Sequence, residues 1–546
     1  MRNPLSQQRI DRDGQLWANL TIAQGAWARA AATPDAVAIY LEDEPAITYG
    51  AIALEARRLV TGLRGLGLQQ GDVISFQLPN WRESVVLDIA ASAMGLIVNP
   101  VIPIYRDHEL RFILRDARTR LIYIPEQVRS LEFPGMLAAL RPDLPELAHI
   151  VTVRAANDHE GMLRYEDLVS GAPADLATLP MVDPNSIKAI LYTSGTTGSP
   201  KAVLHSHNTL TRVIYNSVEF WQLDEHDIML MPSPVTHITG YGSGMVLPFV
   251  TPVKSALMAR WDADAAVEFI LRIGATASVG ATPFLVELVN AAERHGTGLP
   301  SMRLFACGGA AVPPQVIDRA WEVLDNCKAF RVYGSTEAPI ITLGFVGDAE
   351  QQLAAGTDGK IHAYEVRIVD ELGQELGVGQ DGEITVRGAG AMLGYADPAQ
   401  DAEAHDADGY FFTGDIGRRT PEDAILITDR KKDIIIRGGE NISAKEVEDV
   451  LHGHPGIREA AVVAMPHERL GEGVCAYLVL ADANQALALE EVASFADRAG
   501  LARQKIPQRI ELVTELPRTA SGKVRKDVLR RRLADHADAA EMRSSN

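Results

Sequence analysis

The chain has 546 residues, 47% apolar and 23% charged, the balance of an ordinary globular protein. Its length exceeds the roughly 250–300 residues at which a single core stops growing, so more than one domain is expected. A formal charge of −20 argues against nucleic acid or an anionic membrane surface as partner, because both need basic patches, but leaves nucleotide binding at a local positive site open. Cys307, Cys327 and Cys475 form no CxxC or other metal-ligand spacing, so no disulfide framework is expected and the cytoplasm is the natural compartment. The opening MRNPLSQQRIDRDGQ has no apolar leader segment. The apolar stretch from Met94 to Tyr105 is broken by Asn99, Pro100 and Pro103 and is too short to span a bilayer.

In chain order, β-branched runs at Val73–Leu78, Ile150–Val153, Ile187–Tyr192, Ser278–Gly280 and Phe330–Tyr333 predict strands. Runs at Arg82–Ala93, Asp262–Ile273 and Phe284–Ala292 predict helices. The alternation indicates an α/β protein with mostly buried parallel strands. From Gly382 to Thr428 the chain is strand-like and Gly-rich. A boundary falls near Asp429–Asp433, and beyond it the pattern is a compact α+β unit. That unit is read as a strand Asp433–Arg437, a Gly438-Gly439 turn and a helix from Ser443 with Glu446 completing a capping box. Strands Ala460–Ala464 and Val474–Leu480 follow, then a helix Glu490–Gly500 and a last basic helix over Val524–Leu533. Two domains are expected, residues 1–429 and 430–546: a large lobe of layered sheets and helices, and a small mobile lobe.

The most specific string is Tyr192-Thr-Ser-Gly-Thr-Thr-Gly-Ser-Pro-Lys201, directly after a predicted strand. Thr193, Ser194, Gly195, Thr196, Thr197 and Gly198 would aim backbone N–H groups and hydroxyls at one point, the geometry that cradles phosphate, and Lys201 adds a cation. It is not the Walker pattern, because Pro200 precedes the lysine and Ala202 follows it.

This string resembles the phosphate loop of the AMP-forming acyl-CoA synthetases, whose superfamily also includes luciferases and peptide-synthetase adenylation domains. Further motifs match in the family's order as far as Lys523. In Phe330-Arg-Val-Tyr-Gly-Ser-Thr-Glu-Ala338 the resemblance implies that Tyr333 stacks on adenine beside Gly334, Thr336 contacts phosphate and Glu337 holds Mg²⁺. A carboxylate is the natural protein ligand of that hard cation. Gly309, Ala310 and Ala311, in Gly308-Gly-Ala-Ala-Val312, resemble the segment lining the adenine and acyl pocket. Asp415, in Phe412-Thr-Gly-Asp415, matches the ribose-binding aspartate, and Arg430 matches an arginine that also contacts ribose. Lys432 matches the hinge position between the adenylate-forming and thioester-forming states. Gly438 and Gly439 resemble the turn along the pantetheine tunnel. Lys523, in Pro517-Arg-Thr-Ala-Ser-Gly-Lys523, matches the catalytic lysine, whose charge would stabilise the transition state of attack on the α-phosphate. The resemblance therefore implies ATP, Mg²⁺ and coenzyme A.

Pro234-Val-Thr-His-Ile-Thr-Gly-Tyr-Gly-Ser-Gly244 matches the segment in which a His or aromatic gates the acyl site, with His237 as the candidate. Gly240, Gly242 and Gly244 would leave room for substrate near the backbone, and Phe284 and Leu285 would add apolar wall. Apolar surroundings favour a medium-chain, alicyclic or aromatic acid. Gly334–Pro339, with Pro after Ala, resembles the cyclohexanecarboxylate and medium-chain branch. Three alternatives stay open. One is a stand-alone adenylating enzyme that loads a carrier protein, since the roughly 20 residues after Lys523 are too few for an attached carrier domain. The others are a homologue that only binds nucleotide and a luciferase-like oxygenase, which no residue favours. A homodimer is also compatible with the sequence.

Overall fold

The computed structural model describes residues 5–128, 130–193, 200–437, 440–467, 469–482, 486–518 and 523–533. Two large sheets carry the N-terminal part. One orders its strands Lys328–Val332, Leu304–Gly308, Ala277–Gly280, Ile228–Met231, Lys254–Leu257, Val37–Leu41 and Ile47–Thr48, with only the last pair antiparallel. The other runs Gly394–Tyr395, Lys201–Ser206, Ile187–Thr193, Ile97–Pro100, Val73–Phe76, Thr119–Pro125, His149–Val153 and Leu163–Arg164. Its first three strands are antiparallel to their neighbours in that edge, and the remaining pairs are parallel. Parallel strands are covered on both faces, which is why their runs are apolar without alternation; Val73–Phe76 and Ala277–Gly280 are buried along their whole length.

The fold is the expected α/β arrangement, with two antiparallel additions. Glu365–Val369, Gly382–Arg387, Phe411–Arg419 and Ile425–Arg430 form a four-stranded antiparallel sheet. After it, Glu440–Ile442, Ile435–Arg437, Gly471–Leu480 and Ile457–His467 build a smaller sheet, with Arg509–Leu512 added in parallel. That sheet packs on helices Ala444–His452 and Leu489–Arg498 around a core of its own, including Ile435, Val447, Leu451, Val462 and Leu478. Helical residues 526–533 cover its other face through Leu529 and Leu533.

Local signals explain the element starts. Ser443 caps its helix by accepting from the Glu446 N–H at 3.0 Å, the first half of the expected box. The strand expected at Ala460–Ala464 extends over Ile457–His467. Its ladder with Gly471–Leu480 runs on through polar residues as far as His467↔Gly471, because backbone pairing does not require the apolar run to continue.

Candidate active site

The ends of these sheets and the four-stranded sheet enclose a cavity of about 590 Å³. Its walls include Thr193 and Lys201 from the second sheet, Gly308, Gly309 and Tyr333–Glu337 from the first, and Thr413, Gly414 and Arg430 from the antiparallel sheet. Lys432 and Lys523 close it. Residues separated by more than three hundred positions are thus gathered at one cavity, with Thr193, Gly308 and the turn after Val332 at the carboxyl ends of their strands, where open α/β sheets bind ligands.

Strands Ile187–Thr193 and Lys201–Ser206 pair in antiparallel register, Thr193↔Lys201. The Gly/Ser/Thr loop is therefore flanked by strand on both sides rather than leading into a helix. Ser194, Gly195, Thr196, Thr197 and Gly198 lie outside the described residues, as do Gly438 and Gly439. At the flanks, Thr193 Oγ1 donates to Glu337 Oε1 at 3.4 Å. Lys201 Nζ stands 4.8 Å above the Tyr395 ring, a cation–π contact.

The turn after Lys328–Val332 presents Thr336 and Glu337 and is held at several points. Ala338 N–H donates to Ser335 Oγ at 3.2 Å, and His205 Nε2 meets the Thr336 carbonyl at 2.8 Å. A carbonyl can only accept, so Nε2 carries the proton. Burial pushes the His205 pKa down to about 4, so the ring is neutral and its Nδ1 takes the Thr209 hydroxyl at 3.1 Å. Tyr395 Oη donates to Glu337 Oε1 at 2.9 Å, and burial, with the Glu337 charge second, raises the Tyr395 pKa so that the phenol keeps its proton. The Glu337 carboxylate is thus fixed and faces the cavity, the donor type a hard cation takes. Among the described residues no group of three or more His, Cys, Asp or Glu could hold a metal ion.

Tyr333 and Asp415 form one unit with Arg430. Asp415 is only 4% exposed. Its Oδ2 accepts the Tyr333 hydroxyl at 2.7 Å, and its Oδ1 accepts Arg430 Nε at 2.6 Å. Asp415 and Arg430 are cross-strand partners in the antiparallel sheet, so the ladder sets the ion pair. Lys523 is embedded among these groups. Desolvation, then the nearby Arg430 charge, lowers its pKa, while Asp415 and Glu337 act in the opposite direction. Desolvation also lowers the Lys432 pKa.

His237 stands on the cavity wall; burial, with Lys523 second, brings its pKa down to about 4. It is a neutral wall residue, and its Nδ1 accepts the Thr239 N–H at 3.4 Å. Past it the chain winds as a short helix Ile238–Gly240 and a wide π turn Tyr241–Val246, a form that recurs at functional sites. This corrects the expectation of three roomy glycines, because helical winding points them in different directions. A Cβ on Gly242 would meet open cavity, whereas one on Gly240 would lie 2.2 Å from the Pro234 carbonyl and one on Gly244 2.6 Å from Met231. The turn is pinned from behind: Tyr241 Oη donates to Asp88 Oδ1 at 2.5 Å, and the fully buried Lys188 donates to the same oxygen at 2.7 Å. Phe284 lines the cavity, but Leu285 points into the core. Gly309 lines it too, at φ +77, a backbone state that favours glycine. Ala310 and Ala311 are not among the lining residues; the Ala311 carbonyl instead accepts from Thr282 Oγ1 at 2.8 Å.

Sequence reasoning did not single out Tyr395, His205 or the helix His207–Phe220, whose Leu210, Val213 and Ile214 form apolar wall. The i, i+3, i+4 spacing of those three was a usable signal.

The family described as AMP-binding enzyme matches residues 26–396, and its C-terminal domain matches residues 446–523. The chain belongs to the AMP-binding enzyme family. This adenylate-forming enzyme is 34% identical, over 97% of its length and 94% of the relative's, to the medium-chain fatty-acid–CoA ligase of Escherichia coli (strain K12). It is 31% identical to the pyochelin synthase PchD of Pseudomonas aeruginosa (strain UCBPP-PA14), over 96% of its length and 95% of the relative's. Among solved structures, ATP-bound MatB from Rhodopseudomonas palustris superposes with a TM-score of 0.82 at 28% identity, covering 94% of this chain and 99% of that one. Among the described residues of this AMP-binding enzyme, no helix is long and apolar enough to cross a membrane.

Proposed function

We propose that the enzyme joins a carboxylic acid to AMP at the expense of ATP and then transfers the acyl group to coenzyme A. The observation that carries this reading is one cavity lined by both charged and apolar side chains: Lys523, Lys201, Arg430 and Glu337 on the one hand, Leu210, Val213, Ile214, Ile238, Val279 and Phe284 on the other. In the first step a carboxylate oxygen of the acid attacks the α-phosphorus of ATP, and the bond to pyrophosphate breaks. Lys523 places its cation where negative charge builds up, Lys201 stands beside the phosphate loop, and Asp415 with Arg430 holds the ribose. Tyr333, fixed by its bond to Asp415, offers its ring to adenine. Glu337 would hold Mg²⁺, which offsets charge on the triphosphate. In the second step the thiol sulfur of coenzyme A attacks the acyl carbon, the bond to AMP oxygen breaks, and the thiol proton passes to solvent.

The two steps need different groups around one intermediate, and water must be kept from it. We therefore assign residues 1–429 to a nucleotide- and acid-binding lobe and 430–546 to a lobe that rotates about Lys432 after adenylation. The apolar side chains named share the cavity wall with His237, which burial keeps neutral. That favours an acid with one carboxylate and an uncharged medium-chain, alicyclic or aromatic body over an amino acid or a dicarboxylate. We place the enzyme in the cytoplasm, consistent with three free cysteines.

The test is a screen of carboxylic acids with Mg·ATP and coenzyme A, recording AMP, pyrophosphate and acyl-CoA together. Acid-dependent AMP matched by acyl-CoA is expected. AMP and pyrophosphate without acyl-CoA would replace coenzyme A with another acceptor such as a carrier protein. No AMP with any acid would overturn the reading.

A further inference from the structure

The N-terminal arm precedes the segment matched by the family, which begins at residue 26, yet it reaches the back of the active site. Ser6 caps helix Gln7–Asp13, which carries Arg9 into a loop of the chain's second half. Arg9 Nη1 donates to the Met392 carbonyl, and Arg9 Nη2 to the carbonyls of Ala391 at 2.5 Å and Gly388 at 3.5 Å. Trp17 Nε1 adds a bond to the Ala389 carbonyl at 3.0 Å. The guanidinium is itself aimed by the buried Asp13 at 3.4 Å, which also pairs with Arg12. Four carbonyls of one tight loop thus accept from side chains of the arm, and of these Gly388 also accepts the Ala391 N–H within the loop at 3.1 Å. Ala389 and Met392 are both 2% exposed, so little water can replace those donors, and buried carbonyls left unpaired are costly.

The other side of this loop holds Glu337. Met392 N–H donates to the Glu337 carbonyl at 2.7 Å. Three residues on, Tyr395 donates to the Glu337 carboxylate. Both the backbone and the side chain of Glu337 therefore hang on the segment 388–395, whose first half is clasped by the arm while Leu393–Tyr395 are held by the strand Lys201–Ser206 and by Asp401. We propose that Arg9 and Trp17 are positioning residues for Glu337: the arm sets the loop, and the loop sets the carboxylate that faces the nucleotide's phosphates. This rests on the role given to Glu337 above.

The experiment uses the full chain carrying Arg9→Met, Arg9→Lys or Trp17→Phe, with Glu337→Gln as reference. Supporting partners of this kind are worth about 10- to 100-fold in metal affinity or activity. Arg9→Met should slow acid-dependent pyrophosphate exchange by an amount in that range. Calorimetric binding of ATP should weaken in Mg²⁺ and stay unchanged in its absence. Thioester formation from pre-made acyl-adenylate should keep its rate. Trp17→Phe, which removes one donor and keeps the packing, should move the same readouts less, and Arg9→Lys should recover part of the loss. If Arg9→Met fails to fold, the two milder variants decide. Variants that lose both half-reactions together, or that bind Mg·ATP as the parent does, would overturn the clasp. A parent chain with no acid-dependent exchange would overturn the proposed function, and the clasp with it.

Discussion

Asp415→Asn tests the nucleotide site most directly. An ionised carboxylate offers about four acceptor positions. The Tyr333 hydroxyl and Arg430 Nε occupy two of them, and the proposed function gives the ribose hydroxyls a place at the same carboxylate, beside the cavity residues Thr413, Gly414 and Arg430. Hydrogen bonds to a charged group contribute about 1.5–3 kcal/mol each. Asparagine removes the charge and one acceptor oxygen, so the loss should be about 2–4 kcal/mol, or roughly 30- to 1,000-fold in kcat/KM for ATP. The fold should tolerate the change: the Arg430 side chain is 43% exposed, so water can hydrate the guanidinium, unlike the partner of a fully buried pair. The assay is pyrophosphate exchange with ATP and with 2′,3′-dideoxy-ATP, for parent and variant. If Asp415 reads the ribose, the parent discriminates strongly between the two nucleotides and the variant hardly at all. An undiminished preference for ATP in the variant would refute the assignment, however large the overall loss.

Lys523→Ala should slow adenylation by at least on the order of 10²–10³ and leave thioester formation from pre-made acyl-adenylate largely intact; equal loss in both half-reactions, measured separately, would remove the lysine from its place. Because burial and Arg430 lower the Lys523 pKa, and the charged form is the working one, adenylation rate against pH should fall on the alkaline side below the ordinary lysine value of about 10.4, and that limb should be missing from Lys523→Arg. Gly242→Leu should leave the melting temperature nearly unchanged, since its side chain enters open cavity, and should shift the acid profile toward shorter or smaller acids; an unchanged profile in the acid screen would place the acyl body elsewhere.

The sequence made legible whatever a contiguous string encodes. Asp415 and Arg430 sit in separate motifs, and the antiparallel ladder joins them as cross-strand partners. The α/β pattern and the helices at Arg82–Met94 and Ala263–Ile273 follow local periodicity. What stayed hidden depends on pairing at long range. Tyr395 belongs to a two-residue strand paired with Val203 and Leu204, too short for any alternation to register. Arg9 meets partners more than three hundred and seventy residues away, and its own neighbourhood reads as a polar surface helix. Gly240 and Gly244 misled because glycine marks close approach without saying of what: here it is the chain's own Pro234 carbonyl and Met231.

Cys307 ends its buried run one residue before Gly308, which lines the cavity. An acyl-adenylate is made to be attacked by a thiol, so an enzyme of this kind must avoid acylating itself. Cys307 is fully buried and burial pushes its thiol up to about 12. Only on the order of one molecule in 10⁵ would carry a thiolate there at pH 7, and the thiolate is the nucleophile. Cys327 and Cys475 are buried and raised to about 12 in the same way. The interior that stabilises the sheets thus also keeps the protein's own sulfur out of competition with the incoming one, a chemoselectivity built from packing alone.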